Sequence, residues 1–400
     1  MSVLLRTLSV SVVLAIASRA VAGQQGFTSS PDITTTPPPG WSLTPAVGVS
    51  QTWDDNVTLK GPGDNPVSDV INVVNPRAEL NFISPRGQVA ARYDGAFLLY
   101  RTSTTLDSYE QHGSLSAKRK LSRKTMFFID GSAAQAPTTE LLQLTAVPYV
   151  RAGSQTEDAR AGIESVLTKR LSIVAAAHFQ HVAFDANAPF ANLLLGGTSV
   201  GGGFVLRDRL SEMTTLTADY DGLRASIGER QDIFVVQNAT VGLERQLTKT
   251  MRVSGAVGVA RLDAPAFGPS KTGPSYRFSL ARDLRSSVVE VLLYRSFVPS
   301  WSFGGTTQNE EATVKLRVPL SRSLYTQSLV SWRRDDPLIA ITPPLRSLWI
   351  QATVGYTARS FLRIEGYYLG TRQTVVAPDE LLAHNQIGFQ VIATKPVRLR

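Results

Sequence analysis

Eight short polar connectors recur along the chain, and they alternate with longer, less regular ones. The short ones are SPRG at 84–87, LSRK at 121–124, LTKRLS at 167–172, RDRLSE at 207–212, RQLTKT at 245–250, RDLRSS at 282–287, PLSRSL at 319–324 and TARSFL at 357–362. Each is flanked by alternating sequence of about ten residues or more, the length a tilted strand needs to cross a bilayer. The longer connections fall between them, at 54–68, 135–156, 184–197, 262–274, 297–308 and 334–344. Short turns on one rim and long loops on the other mark a membrane β-barrel. A soluble sandwich or propeller has no reason to sort its loops this way. Eight turns join sixteen strands, and one more at each end makes eighteen. Sixteen is the runner-up, since 138–150 reads either as a loop or as an extra hairpin.

The alternation itself says where each face points. In RGQVAARYDGAFLLYR (86–101), Val89, Ala91, Tyr93, Gly95, Phe97 and Leu99 share one side, and Gln88, Arg92 and Asp94 the other. Successive strand side chains point to opposite faces. Ala312, Val314, Leu316 and Val318 likewise oppose Thr313, Lys315 and Arg317, and Leu362, Ile364, Gly366 and Tyr368 oppose Arg363, Glu365 and Tyr367. Leu348, Ile350, Ala352, Val354 and Tyr356 oppose Gln351 and Thr353, while Tyr276, Phe278 and Leu280 oppose Arg277, Ser279 and Asp283. A closed barrel of about eighteen strands is too wide for its own side chains to fill. An Arg or Lys facing lipid at the midplane would cost about 2–4 kcal/mol. The apolar faces therefore belong in lipid and the charged faces around water. Aromatics near strand ends (Trp41, Trp53, Tyr100, Tyr149, Tyr220, Tyr276, Tyr294, Trp301, Trp332 and Tyr368) are expected to form the interfacial girdle.

The N-terminus is consistent with export. Residues 1–22 carry Arg6, an apolar stretch from Leu8 to Ala17 and an Ala20-Val21-Ala22 cleavage site, the layout of a signal peptide. Residues 23–40 read as a Pro/Thr-rich flexible leader, and the barrel as 41–400. The chain has no cysteine, which excludes disulfides, a lipoprotein anchor and cysteine-based catalysis. No later segment is apolar enough for a spanning helix. The formal charge is +9, but the basic residues are dispersed without a run of five or six, so nucleic acid is not an expected partner.

The segment SLTPAVGVSQTWDDNV, then SDVINVVNPRAELNF and ARYDGAFLLY, resembles the start of outer-membrane β-barrel proteins of the OmpL-like porin type. The features that carry the resemblance are Asp54-Asp55-Asn56 after the first strand, Ser68-Asp69-Val70-Ile71 with Pro76 in the second, and Tyr93 with Tyr100 in the third. The strand–turn rhythm extends it over roughly 41–396, although the chain ends KPVRLR where such barrels usually end on an aromatic residue. Relatives of that group are often found with exopolysaccharide export systems. The resemblance implies an all-β, transmembrane, antiparallel up-and-down barrel in the bacterial outer membrane.

Catalytic signatures are missing. There is no H-E-x-x-H, G-x-S-x-G or Walker loop, and only four histidines. His178 and His181 are three apart on one strand, so they face opposite sides and cannot share a metal. His112 and His384 read as lone polar residues. Gly201-Gly202-Gly203 reads as a strand bend or bulge. Asp54-Asp55-Asn56, with Asp64 and Asn65, offers oxygens that suit calcium, but without calcium-loop spacing the simpler reading is a polar loop tip. Neither a cofactor nor a metal is expected.

The inward charges are the site candidates: Arg77, Glu79, Arg92, Asp94, Arg160, Glu164, Arg252, Arg277, Lys315, Arg317, Arg363 and Glu365 as pore-lining residues. Arg77 with Glu79, Arg92 with Asp94 and Arg363 with Glu365 are i, i+2 neighbours able to neutralise each other. Arg160, Arg207, Arg252, Arg277, Lys315 and Arg317 have fewer acidic neighbours, chiefly Glu164, Asp130 and Asp219, which leaves a basic excess that favours anions. The connection expected to fold inward is 135–156, long and partly apolar. The expected function is a porin-like channel for passive diffusion of small polar or anionic solutes, not an enzyme. The alternative is the barrel component of an exopolysaccharide export system. The expected partners are outer-membrane lipid, small polar solutes and, on the alternative, polysaccharide export components.

Overall fold

Alternating sequence becomes strand from one end of the barrel to the other. The computed structural model describes residues 39–61, 65–185, 194–228, 232–284, 287–302, 305–339, 344–374 and 381–399. The expected signal peptide and nearly all of the leader lie outside the described residues. The first six strands are β1 (Gly40–Asp54), β2 (Asp69–Ile83), β3 (Gly87–Tyr100), β4 (Ser108–Lys120), β5 (Thr125–Ala136) and β6 (Ser154–Val166). Then come β7 (Leu171–Phe184), β8 (Gly197–Arg209), β9 (Thr214–Ile227), β10 (Asp232–Thr248), β11 (Met251–Asp263) and β12 (Lys271–Leu284). The last long strands are β13 (Ser287–Pro299), β14 (Thr306–Pro319), β15 (Leu324–Pro337), β16 (Leu345–Arg359), β17 (Leu362–Thr374) and β18 (Leu381–Thr394).

Each strand pairs antiparallel with its neighbour in the chain, and β1 closes the sheet on β18 from Ala46–Thr394 to Asp54–Gln386. Eighteen long strands thus form a closed up-and-down barrel with no free edge. Beyond Lys395-Pro396, where proline has no N–H to give the ladder, a three-residue β19 (Val397–Leu399) pairs with Trp41–Leu43. Among the described residues no helix is long and apolar enough to cross a membrane.

The short connectors look alike because they share one turn chemistry. In four of them a Ser or Thr hydroxyl accepts the backbone N–H two residues on: Ser122 from Lys124, Thr168 from Arg170, Ser211 from Met213 and Ser321 from Ser323. Three of these hydroxyls also accept from the next residue, Thr125, Leu171 and Leu324. A short hydroxyl side chain mimics a backbone acceptor here and closes the hairpin locally. The preceding leucines, Leu121, Leu167, Leu210 and Leu320, all remain exposed.

Outside, the barrel is greasy. Val47, Phe97, Leu99, Val257, Val354 and Ile387 are 47–69% exposed, as expected of side chains whose neighbour is lipid rather than protein. This is a membrane-spanning barrel of the outer-membrane type. Higher on β13–β15 the outer face turns polar, where Arg295 pairs with Glu310 at 3.0 Å and Arg334 with Asp336 at 2.8 Å. The glycine triplet makes no bulge, because β8 stays in register with both neighbours through 201–203. Gly201 instead makes room for the His178 imidazole and for the β9 backbone, which a Cβ would strike.

Candidate functional site

Between β5 and β6, residues 137–153 do not stand on the rim but enter the barrel. A one-turn helix α1 (Thr139–Leu142) begins the excursion. Leu142, Leu144, Val147 and Ala152 bury against inward side chains of β9–β11, including Ile227, Phe234, Val236 and Leu262, and against Trp301. Apolar residues in a polar lumen fold away from water wherever a partner exists. The base of the loop is pinched by Thr139, whose Oγ1 donates to the Pro148 carbonyl (2.7 Å) and accepts from Val150 N (2.9 Å).

Polar side chains on the opposite wall then fasten it. Ala146 N donates to Asp335 Oδ2 of β15 (3.2 Å), and its carbonyl accepts from Ser300 Oγ (3.2 Å) and Ser302 Oγ. Ala146 sits at φ 56°, a left-handed conformation that a residue with a Cβ holds only when its surroundings dictate it. Arg333 of β15 donates to the carbonyls of Gln143 (3.0 Å) and Leu144 (3.3 Å). Gln373 of β17 accepts from Tyr149 N (2.6 Å) and donates to Val147 O (3.2 Å). On the near side Arg151 donates to Val57 O, Tyr100 Oη and Leu106 O, and its guanidinium lies 5.1 Å over the Tyr100 ring. Burial pushes the Tyr149 hydroxyl up to about 12, opposed by the nearby Arg333 charge.

The twelve charged residues singled out from the sequence all occupy inward positions of the alternation, opposite to the exposed Val47, Val74, Phe97, Ile163, Val257, Phe278, Val314 and Ile364 of their strands or strand neighbours. Two of the three expected pairs form: Arg92 Nε lies 2.5 Å from Asp94 Oδ2, and Arg363 Nε 2.7 Å from Glu365 Oε1. The third does not. Arg77 lies 3.5 Å from Asp94, its register partner on β3, while Glu79 accepts from Asn81 Nδ2 at 2.6 Å. Asp94 thus serves both its register partner Arg77 and its i, i+2 neighbour Arg92, although Glu79 is the residue opposite Arg92.

On the β5–β14 side the wall mixes its charges: Arg160, Arg207, Arg252, Arg277, Lys315 and Arg317 stand among Asp130, Asp158, Glu164, Asp219, Asp221, Glu290 and Glu311. Arg160 faces Asp130 in register and lies 5.3 Å over the Phe128 ring, and Arg277 lies 5.3 Å over Tyr294. Arg160, Arg207 and Arg277 share Asp219 as an electrostatic neighbour. Arg160 Nη1 and Arg207 Nε have no hydrogen-bond partner among the described residues. Lys315 faces Glu290 in register, and Arg252 and Arg317 lie nearer the short turns. The β1–β4 and β17–β18 side carries amides and hydroxyls beside its ion pairs, and holds a cavity of about 220 Å³ with Asn75, Arg92, Asp94, Glu110, Gln386 and Gln390 in its lining and the loop's Leu141 and Leu142 against it.

Several expectations need correction. Trp41, Trp53, Tyr220, Tyr276 and Trp332 are exposed on the outer face as a girdle requires, but Tyr100, Tyr149 and Trp301 are buried inside and Tyr294 faces inward with Arg277. Tyr149 and Trp301 lie on loops, where strand parity has no meaning; Tyr100 takes the inward parity of β3. His178 and His181 do face opposite sides, His178 toward Asp221 (3.6 Å) and His181 toward Thr198 Oγ1 (3.1 Å). His384 is not a lone polar residue. Its Nδ1 meets Glu140 Oε2 at 2.8 Å and its Nε2 lies 2.9 Å from Asp54 Oδ2, with all three residues buried. Asp54 and Asp55 are correspondingly not a loop tip: Asp55 Oδ1 accepts from Asn385 N at 2.7 Å. Nothing local in the sequence joins these segments.

No protein-family model and no curated protein matches the chain. Among solved structures it is similar to OccAB4 of Acinetobacter baumannii, at 9% identity and a TM-score of 0.46 over 90% of this chain and 98% of that one. It is similar to OpdQ of Pseudomonas aeruginosa at 8% identity and a TM-score of 0.46, covering 89% of this chain and 98% of that one. The FrpB iron transporter of Neisseria meningitidis is similar at 8% identity and a TM-score of 0.47, over 86% of this chain and 65% of that one.

Proposed function

We propose that the protein is an outer-membrane channel through which small polar or anionic solutes diffuse passively, and that it is not an enzyme. The observation that carries this reading is the asymmetric lumen: a charged inner wall crossed by a loop fastened to its far side. The loop sets the steric limit, and Arg160, Arg207, Arg252, Arg277, Lys315 and Arg317 bias the traffic toward anions. Nothing in this arrangement resembles an activated nucleophile with its base and orienter. The alternative, a component of an exopolysaccharide export system, rests on the N-terminal resemblance, and a lumen narrowed by a docked loop suits small solutes better than a polymer.

The test is reconstitution of the purified protein in planar bilayers, with reversal potentials measured across a salt gradient. Anion preference supports the reading. Cation preference refutes the role given to these basic residues, and absence of conductance refutes the channel.

A further inference from the structure

At the upper end of the closing seam, Asp54, Asp55 and His384 bring three ligand atoms within 4.8 Å of one another. We propose that they bind a divalent transition cation of the zinc class, through His384 Nε2 and one oxygen of each aspartate, with Glu140 holding the imidazole from behind. The inference does not depend on what passes through the lumen.

The first observation is the placement of His384 Nε2. The atom is buried and lies 2.9 Å from Asp54 Oδ2, yet no hydrogen bond is aligned along it. A proton shared between the two would point from one to the other. Tetrahedral ligands about 2.1 Å from one ion lie about 3.4 Å apart without pointing at each other, so the pair would open by about half an ångström around a cation. The geometry is that of neighbouring ligands.

The second observation is the support behind each donor. Glu140 oxygens approach His384 Nδ1 at 2.8 and 3.0 Å, so Nδ1 carries a proton and Nε2 is the ring nitrogen that faces the aspartates. A carboxylate behind a metal-bound histidine is the usual second layer of such sites. Asp54 is held by Asn56 N (2.8 Å) and Gln386 Nε2 (2.7 Å), and Asp55 by Asn385 N and Nδ2. Thr371 Oγ1 donates to Glu140.

Charge gives the third. Three carboxylates gather here, two of them 2% exposed, and the guanidinium of Arg372 reaches only the surrounding carbonyls and Asn385. Buried charge persists when it is paired or coordinates a metal. A divalent ion on a neutral imidazole, together with Arg372, balances the three carboxylates. One nitrogen and two carboxylate oxygens suit zinc and its neighbours better than calcium, which takes six to eight oxygens.

The experiment uses the full chain, refolded in detergent without an affinity tag and stripped with EDTA. Zn²⁺ is titrated by calorimetry and Co²⁺ by visible absorption. One saturable site per chain is expected, with Co²⁺ d–d bands. Glu140→Gln should weaken binding about 10- to 100-fold, and Asp55→Asn and His384→Gln should remove it. Folding of each variant is checked by heat-modifiable migration on gels. Asp55→Asn leaves the Glu140–His384 pair intact and so decides the matter if His384→Gln does not fold. No saturable uptake by the wild type, or undiminished uptake by folded Asp55→Asn, overturns the proposal.

Discussion

Gln373 holds Tyr149 as one strand holds another: its Oε1 accepts from Tyr149 N at 2.6 Å while its Nε2 donates to Val147 O at 3.2 Å. A side-chain amide thereby substitutes for a missing backbone partner and satisfies a loop segment that has left every sheet. Arg333 does the same for Gln143 and Leu144.

Removing both clasps should undock the loop. Gln373→Ala with Arg333→Ala forfeits about 1–2 kcal/mol of hydrogen bonding, enough to raise the undocked population about 5- to 30-fold. Single-channel recordings should then show longer or more frequent sojourns at a higher conductance. Unchanged traces would mean the loop does not limit passage.

The face assignment can be tested by charge insertion. Leu316→Arg or Ile364→Arg places a charge against lipid and should cost about 2–4 kcal/mol near the midplane, less toward the rims. Thr313→Lys points into the lumen, where Glu311 already accepts from the Thr313 hydroxyl at 2.9 Å. The folded fraction on gels should fall for the first two variants and hold for the third; equal tolerance at all three sites would invert the assignment.

Selectivity should follow the lumen arginines. Arg160→Gln, Arg207→Gln and Arg277→Gln together should bring the anion-to-cation permeability ratio toward one, with Asp219 left in place. A triple variant as anion-selective as the wild type would move the selectivity to another part of the pore.

Tyr149 makes the docked loop sensitive to strong alkali. Its hydroxyl ionises near 10 in the unfolded chain and about 12 when buried. A raised value favours the protonated form, so the contribution is fully present below pH 10 and is lost as pH climbs through 12. The loss amounts to about 2–3 kcal/mol. Tyrosinate absorbance of Tyr149→Phe should therefore show one tyrosine fewer titrating near pH 12 than the wild type does.

His112, His178 and His181 should be dispensable for passage. A folded triple Gln variant is expected to conduct as the wild type does, since His178 faces Asp221 and His181 faces Thr198. Complete loss of transport in that variant would argue for a histidine-dependent step.

The barrel was legible because lipid demands a period of two on every strand, and Val314, Leu316 and Ile364 obey it. The turns were legible because Ser122, Thr168, Ser211 and Ser321 act on their own neighbours. The inward course of 135–156 showed in its leucines. What stayed hidden depends on distant partners. Glu140 and His384 are 244 residues apart, and no periodicity marks either. Arg77 chose Asp94 over Glu79 through register between strands, which the pattern within one strand does not encode.

The seam between β1 and β18 orders assembly in time. Trp41 pairs with Leu399, and Asp54 with Gln386, so these contacts span nearly the whole chain. Contacts of such separation form slowly, because the chain between them must first be brought together. The loop's apolar partners lie on β9–β11, and its polar clasps on β15, β17 and β18 come nine or more strands after the loop's own hairpin. Until those last strands arrive the loop has no clasp on the far wall, although Arg151 already reaches Val57, Tyr100 and Leu106. The apolar residues that later narrow the passage must therefore wait, exposed or shielded by helpers, until β9–β11 supply their partners, and the loop is locked only when the last strands close the barrel.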